Sequence, residues 1–351
     1  MKWPHLLADW ITPPLALHDW RARIARVESE EAAYLAGLPY VKGLAIIGTV
    51  GRGAAWPVSD VDMLVAAETW NGQDPEHLTR VEETERNRRL HAALIPNDVE
   101  AANWVLLASE VSRAVSADDV AFLRLLDHPH WLGIVLKAQG ARLVRDLDGN
   151  LGKFLDRCNG VLFADCFVDL WLRRVIDDAA GKLCRARDLI GQGDWGGASF
   201  EIISAAYGMM SGGYAMWRLL PQSLSRGVSR FLAAASDAGD PYTGELFLLA
   251  ARLSENDTWE RFHAVPEAGR RERDVRLAIR QGAGEELDAL AATRDLLLVA
   301  CWEAERHDGA PPYPEWSGAT DSPAIVRAQL EAAQTIVQRL QAARPESRKR
   351  A

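Results

Sequence analysis

Residues 44–65 of this chain read LAIIGTVGRGAAWPVSDVDMLV. The apolar run at residues 44–47 predicts a short buried strand. Residues 48–59 combine glycines with an arginine and a proline, a composition too broken for a helix, which predicts a turn. Residues 60–65 predict a second apolar strand that carries two carboxylates. The rest of the predicted fold is organised around this strand–turn–strand unit.

The two carboxylates of the second strand are Asp60 and Asp62. Residues two apart on a strand project from the same face, so these two acids should lie side by side. Such a pair is unfavourable unless a cation neutralises it, and Mg²⁺ prefers carboxylate oxygens that it shares with substrate phosphates. The spacing therefore predicts a divalent metal site.

The turn ahead of these acids has the composition of a phosphate site. Gly48 lets backbone N–H groups approach an anion closely. Thr49 and Ser59 supply hydroxyl donors, and Arg52 supplies a planar positive charge suited to phosphate. A phosphate cradle next to metal-binding acids indicates a nucleoside triphosphate site for phosphoryl or nucleotidyl transfer.

The motif formed by these residues is G-T-x-x-R-G-x-x-x-x-x-S-D-x-D, from Gly48 to Asp62. It resembles the signature of the DNA polymerase beta-like nucleotidyltransferase superfamily, and within it the aminoglycoside (kanamycin-type) nucleotidyltransferases. The resemblance implies two Mg²⁺ ions, ATP as the donor substrate, and a third metal-binding acid on an adjacent strand.

Two acids could fill the third metal position, Asp98 and Glu100, which share a face of a predicted strand that continues to Leu107. Val99-Glu100 resembles the Val-Glu strand of the kanamycin-type enzymes, which favours Glu100. Asp98 could instead be a turn residue at the strand entrance. The predicted metal ligands are therefore Asp60, Asp62 and Glu100, with Asp98 as the alternative to the last.

The length of 351 residues suggests two domains. Strand-like patterns end near residue 157, after a predicted strand and Asp–Gly turn in which Asp146 and Asp148 are turn formers. Long helical patterns follow. We therefore predict an α+β fold, with a mixed-sheet nucleotidyltransferase catalytic domain at residues 1–157 and an all-α helical bundle that binds the acceptor at residues 158–351.

One helical segment of the second half carries possible chemistry. Asp178 and Lys182 are four residues apart and therefore on one helix face. The segment resembles the acid–x–x–Gly–Lys helix of the kanamycin-type enzymes, which implies that Asp178 is the general base and that Lys182 contacts the nucleotide phosphates. Asp177 is the alternative base. An exposed ion pair within one helix would explain the same spacing.

The composition restricts the possible partners. A net charge of −9 argues against non-specific nucleic-acid binding. The N-terminal segment lacks the apolar core of a signal peptide, and no stretch approaches the ~20 apolar residues that span a bilayer, so we expect a cytoplasmic protein that uses neither nucleic acid nor membrane. The resemblance allows a homodimer.

Together these predictions indicate one function, the Mg²⁺-dependent transfer of a nucleoside monophosphate to a hydroxyl of a small molecule, with release of pyrophosphate. The expected donor is ATP, so that the transferred group is AMP. The resemblance implies an aminoglycoside-type antibiotic as acceptor, and hence a role in antibiotic resistance. Two alternatives stay open: a protein-AMPylating enzyme of the toxin–antitoxin type, and a non-catalytic nucleotide-binding regulatory module.

Overall fold

The computed structural model describes residues 20–57, 59–69, 101–221, 226–306 and 317–345. The chain divides into two compact units. Unit 1 comprises Met1–Leu162 and Ile279–Glu285, and unit 2 comprises Phe163–Ala278 and Glu286–Ala351. Every strand among the described residues lies in unit 1, and helices make up the rest of the regular structure. The predicted α+β class is confirmed.

Unit 1 is built on a four-stranded mixed sheet. Its strands are β1 (Val41–Ile47), β2 (Val61–Ala67), β3 (Ala101–Leu107) and β4 (Arg142–Asp146), in the spatial order β3-β2-β1-β4. β1 is antiparallel to both β2 and β4, whereas β2 and β3 are parallel. The strands predicted at residues 44–47 and 60–65 correspond to β1 and β2, and this hairpin forms the centre of the sheet.

Both faces of the β1–β2 hairpin are covered. Leu44 and its cross-strand partner Val65 belong to a core cluster with Trp20 and Ile24 of α1 (Trp20–Gly37). All seven residues of β2 are buried, which explains why its sequence shows no alternation of apolar and polar residues.

Five further helices complete the regular structure of unit 1 among the described residues: α2 (Gly48–Gly51), α3 (Ala108–Ser116), α4 (Asp119–Leu125), α5 (Pro129–Ala138) and α6 (Asn150–Val161). α6 packs on the sheet next to Gly43, where a Cβ atom would come within 2.9 Å of the Leu151 side chain.

Asp146 accepts hydrogen bonds from the backbone N–H groups of Leu151 and Gly152, and Asp148 accepts one from Asn150. The prediction that both acids form this turn is confirmed.

Unit 2 is helical throughout its described residues. Its helices are α7 (Asp165–Gln192), α8 (Trp195–Trp217), α9 (Gly227–Asp237), α10 (Pro241–Ala250), α11 (Glu255–Ala264), α12 (Glu267–Gly282, whose last residues belong to unit 1), α13 (Ala289–Arg306) and α14 (Pro323–Ala343). A left-handed Gly193 ends α7, and Asp194 caps α8 by accepting a hydrogen bond from the Gly197 N–H. None of the helices in the described part of the chain has the length and hydrophobicity needed to cross a membrane.

Candidate active site

The segment that joins β1 to β2 begins with one turn of helix. The prediction of a turn without helix is therefore wrong for Gly48–Gly51, where the Arg52 N–H donates to the Gly48 carbonyl at 3.1 Å. Gly51 makes this turn possible, because a Cβ atom there would lie only 2.6 Å from the carbonyl oxygen of Ile46. The turn thus closes tightly against the end of β1.

Gly48 is required for two separate reasons. Its φ angle is +69°, a backbone conformation that residues other than glycine adopt only with strain. In addition, a Cβ atom at this position would lie 2.3 Å from Oδ2 of Asp62. The first residue of the turn and the carboxylate of Asp62 therefore lie directly against each other.

The hydroxyl groups of Thr49 and Ser59 join the two ends of the turn. Thr49 Oγ1 donates to Ser59 Oγ at 3.3 Å, and the backbone N–H of Trp56 donates to the same Ser59 oxygen at 3.0 Å. Ser59 is buried, whereas Thr49 is half-buried. Ser59 thus stabilises the turn through hydrogen bonds inside it, and Thr49 has the more accessible of the two hydroxyl groups.

Arg52 follows the helical turn directly and is half-buried. Burial lowers the pKa of its guanidinium, while the negative charge of Asp62 acts in the opposite direction. Gly140, which follows α5 with a φ angle of +70°, lies so close that a Cβ atom there would be 3.0 Å from the Arg52 Cα. The turn is thus packed against the connection from α5 to β4.

The two acids of the motif have different surroundings. β2 begins at Val61, so Asp60 lies just before the strand and is exposed. Asp62 is the second residue of β2 and is only 2 % exposed. The pair thus consists of one accessible carboxylate and one buried carboxylate, and these two groups can be tested separately.

The buried carboxylate of Asp62 is bound by a lysine that the sequence analysis did not single out. Nζ of Lys137, on α5, lies 2.7 Å from Oδ1 and 2.6 Å from Oδ2. The indole Nε1 of Trp104 donates to Oδ1 at 3.0 Å. Because Asp62 pairs with Ala102 in the parallel β2–β3 register, Trp104 is two residues further along the neighbouring strand and on the same face.

Trp104 is itself held from two sides. The His130 ring stacks on it with centroids 5.4 Å apart, and a Cβ atom on Gly133 would come within 3.0 Å of the indole. His130 Nε2 lies 3.2 Å from the carbonyl oxygen of Val105, which can only accept a hydrogen bond, so this nitrogen carries the proton. We call Asp62, Lys137, Trp104 and His130 the Asp62 cluster.

A sequence signal for Lys137 exists but is weak. It is the only charged side chain of α5, a ten-residue helix whose buried residues include Ile134, Val135 and Ala138. A single lysine at the end of an apolar helix commonly extends to solvent. Only the fold shows that it binds Asp62.

The donor set of the predicted metal site agrees in part with Mg²⁺. Asp60 and Asp62 supply the carboxylate oxygens that Mg²⁺ prefers. Asp98 and Glu100, the candidates for the third ligand, lie outside the described residues. Within the part of the chain that is described, no group of three or more His, Cys, Asp or Glu side chains is arranged to hold a metal ion. A metal bound to Asp62 would compete with the Lys137 ammonium group.

The predicted base and phosphate-binding lysine lie on α7, in unit 2. Lys182 Nζ is 3.5 Å from Asp178 Oδ2, an ion pair between residues four apart on one helix. Asp178 is exposed, and so is Asp177. A Cβ atom on Gly208 of α8 would lie 3.3 Å from Asp178 Oδ2. Because Gly208 has no side chain, α8 leaves room for this carboxylate.

Comparison of the chain with protein-family models, with curated proteins and with solved structures finds no match in any of the three. The motif at residues 48–62 and the geometry around it are therefore the grounds for a functional proposal.

Proposed function

We propose that this protein is a Mg²⁺-dependent nucleotidyltransferase that transfers a nucleoside monophosphate, AMP from ATP, to a hydroxyl of a small molecule and releases pyrophosphate. One observation carries the proposal: Gly48, in a left-handed conformation, lies against the carboxylate of Asp62 with no room for a side chain. This close approach would allow the backbone of the turn to bind the phosphate oxygens of a triphosphate while Asp62 binds the metal ion on the same triphosphate.

The roles of the surrounding residues follow from their chemistry. The backbone at Gly48, the hydroxyl of Thr49 and the guanidinium of Arg52 would bind phosphate oxygens. Ser59 would support them by holding Thr49 and Trp56 in place.

Asp60, Asp62 and Glu100 would hold two Mg²⁺ ions, which when bound activate an acceptor oxygen and neutralise the triphosphate.

Asp178 and Lys182 belong to the proposal through the motif resemblance alone. A carboxylate that accepts the proton of the acceptor hydroxyl would raise the rate about 10²–10⁴-fold. If Asp178 has this role, Asp178→Asn loses most of the turnover while Asp177→Asn retains it. Loss in Asp177→Asn instead would assign the role to Asp177.

The sharpest test uses Asp60, because its exposure separates catalysis from stability. Asp60→Ala should abolish pyrophosphate release from ATP and Mg²⁺ and leave the melting temperature unchanged, since surface substitutions change stability by about 0.5 kcal/mol or less. Glu68→Ala is the matched control, because Glu68 is an exposed acid just after β2. Full activity of Asp60→Ala would contradict the proposal.

The acceptor class is tested with a panel of aminoglycosides and lincosamides, in which pyrophosphate release is measured for each compound. We expect release with an aminoglycoside-type acceptor and none from the Asp60→Ala variant. Absence of release with every compound would contradict the antibiotic as acceptor, and absence of ATP binding would contradict the nucleotidyltransferase itself.

A further inference from the structure

We propose that Lys137 competes with the metal for Asp62 and, when the metal displaces it, binds the triphosphate of the nucleotide. This inference rests on the proposed function and extends it to a residue outside the motif. It begins from the contact of one ammonium group with both oxygens of a buried carboxylate, at 2.6 and 2.7 Å.

The Lys137 ammonium group and a divalent cation cannot share Asp62 without repulsion. Oδ1 already accepts from both Lys137 and Trp104, and Oδ2 accepts from Lys137. A metal that binds either oxygen would lie within a few ångströms of the Nζ atom, where two positive charges repel strongly in a buried setting. Metal binding to Asp62 therefore favours movement of Lys137.

Lys137 has the freedom to make this movement, and a nearby destination for it. Its side chain is 31 % exposed, although the carboxylate that it binds is almost completely buried. The connection that follows α5 packs on the turn of the motif, since a Cβ atom on Gly51 would lie 3.6 Å from Ala141 Cα and one on Gly140 would lie 3.0 Å from Arg52 Cα. A lysine released at the end of α5 therefore remains close to the predicted phosphate site.

The remainder of the Asp62 cluster is arranged to keep the carboxylate in place when Lys137 leaves. The Trp104 indole donates to Asp62 independently of the lysine, and its ring is fixed by His130 and by the close approach of Gly133. The Nζ atom also lies 5.1 Å from the Trp104 ring centroid, so the ammonium group makes a cation–π contact with the cluster as well.

A lysine that stays on Asp62 and a lysine that moves to the nucleotide differ in their effect on ATP binding. Removal of the Lys137 charge strengthens Mn²⁺ binding to Asp62 in both cases, because a neighbouring positive charge is lost. If Lys137 moves to the triphosphate, its removal also weakens binding of ATP at saturating Mn²⁺, because a charged contact to phosphate is lost. If Lys137 stays on Asp62, its removal leaves ATP binding at saturating Mn²⁺ unchanged.

The experiment measures Mn²⁺ binding by electron paramagnetic resonance without nucleotide, and ATP binding by calorimetry at saturating Mn²⁺, in the full-length protein. For Lys137→Met we expect Mn²⁺ to bind about fivefold or more tightly and ATP to bind about tenfold more weakly. Lys42→Met is the matched control, because Lys42 is similarly exposed at 29 % and pairs with Glu68 at 3.1 Å. It should change neither constant.

Two further variants separate the possible outcomes. Lys137→Gln keeps a hydrogen-bond donor for Asp62 without the charge, so it decides the result if Lys137→Met does not fold. Unchanged or weaker Mn²⁺ binding, or unchanged ATP binding, in the folded Lys137 variant, with Mn²⁺ binding lost in Asp62→Asn, overturns the exchange and leaves the proposed function intact. Equal Mn²⁺ affinity in wild type and Asp62→Asn overturns the metal role of Asp62, and with it the proposed function.

Discussion

Gly48 and Gly53 make the same demand on the backbone but differ in their surroundings. Both have a φ angle of +69°. A Cβ atom on Gly53 would meet open space, whereas one on Gly48 would lie 2.3 Å from the Asp62 carboxylate. The two glycines therefore allow the cost of backbone strain to be separated from the cost of contact with the acid.

Gly48→Ala should lower the free energy of unfolding by more than Gly53→Ala does. Gly53→Ala carries only the left-handed strain, about 1–2 kcal/mol. Gly48→Ala adds displacement of Asp62 from Lys137 and Trp104, and it should also abolish nucleotide binding. Urea unfolding and ATP titration of both variants measure these effects. Equal stability and equal ATP binding in the two variants would show that the contact between Gly48 and Asp62 contributes neither to stability nor to nucleotide binding.

Among the elements, α10 and α14 show how a half-buried acid fixes a helix terminus. Asp240 caps α10, accepts from Thr243 Oγ1 at 2.8 Å, and accepts from Arg339 of α14 at 2.6 Å. Burial alone would raise the pKa of Asp240, but the hydrogen bonds from Thr243 and Arg339 and the charge of Arg339 outweigh it and hold the pKa below its ordinary value of 3.8. The charged form of Asp240 is therefore the one that the fold favours.

The pH dependence follows from the direction of this shift. Because the pKa is lower in the folded state, Asp240 stabilises the fold fully above its ordinary pKa, and this contribution is lost as the pH falls through the folded value. Asp240→Ala should cost about 1–2 kcal/mol at neutral pH, and the difference from wild type should shrink below about pH 4. Urea unfolding across this range tests it.

Glu245→Ala on the same helix is the control for this measurement, because Glu245 is exposed. Its effect should be small at every pH. A difference between wild type and Asp240→Ala that stays constant from neutral pH down to about pH 3 would contradict the role assigned to the carboxylate charge.

The helices that the sequence analysis did not predict include those of residues 108–138, where α3, α4 and α5 have nine, seven and ten residues. Helices this short are marginal alone and depend on tertiary packing, so their periodic signal is weak. The long helices of unit 2 show a clear helical pattern. For example, the pattern at residues 166–190 corresponds to α7, Asp165–Gln192.

For the molecule as a whole, unit 1 is not continuous in sequence. Its second segment, Ile279–Glu285, follows residues of unit 2. In this segment Arg280 is buried, with its guanidinium 5.3 Å from the centroid of the Trp56 ring. Since the Trp56 N–H donates to Ser59, Arg280 supports the turn of the motif from more than 200 residues further along the chain.

Arg280→Ala should therefore destabilise the turn around Trp56 although Arg280 lies between the two segments of unit 2 in the sequence. We expect a loss of about 2 kcal/mol, the scale of a desolvated cation–π contact. Hydrogen exchange measured by mass spectrometry should become faster in peptides that cover residues 48–57 and stay unchanged in α9 and α10. Arg271→Ala, which removes an exposed arginine of the same helix, should leave both regions unchanged. Faster exchange in α9 and α10 but not at the turn would assign Arg280 to unit 2.

The sequence by itself determined the two strands on either side of residues 48–59, because short apolar runs flank a segment rich in glycine. It did not determine the helical turn at Gly48–Gly51 or the start of β2 after Asp60. It also determined the α+β class, since the apolar strands and the long helical patterns fall in different halves of the chain. Only the tertiary structure decided what surrounds Asp62. Lys137 and Trp104 are 75 and 42 residues away. Contacts at such separations leave no periodic pattern in a single sequence, because they depend on how the strands and helices pack.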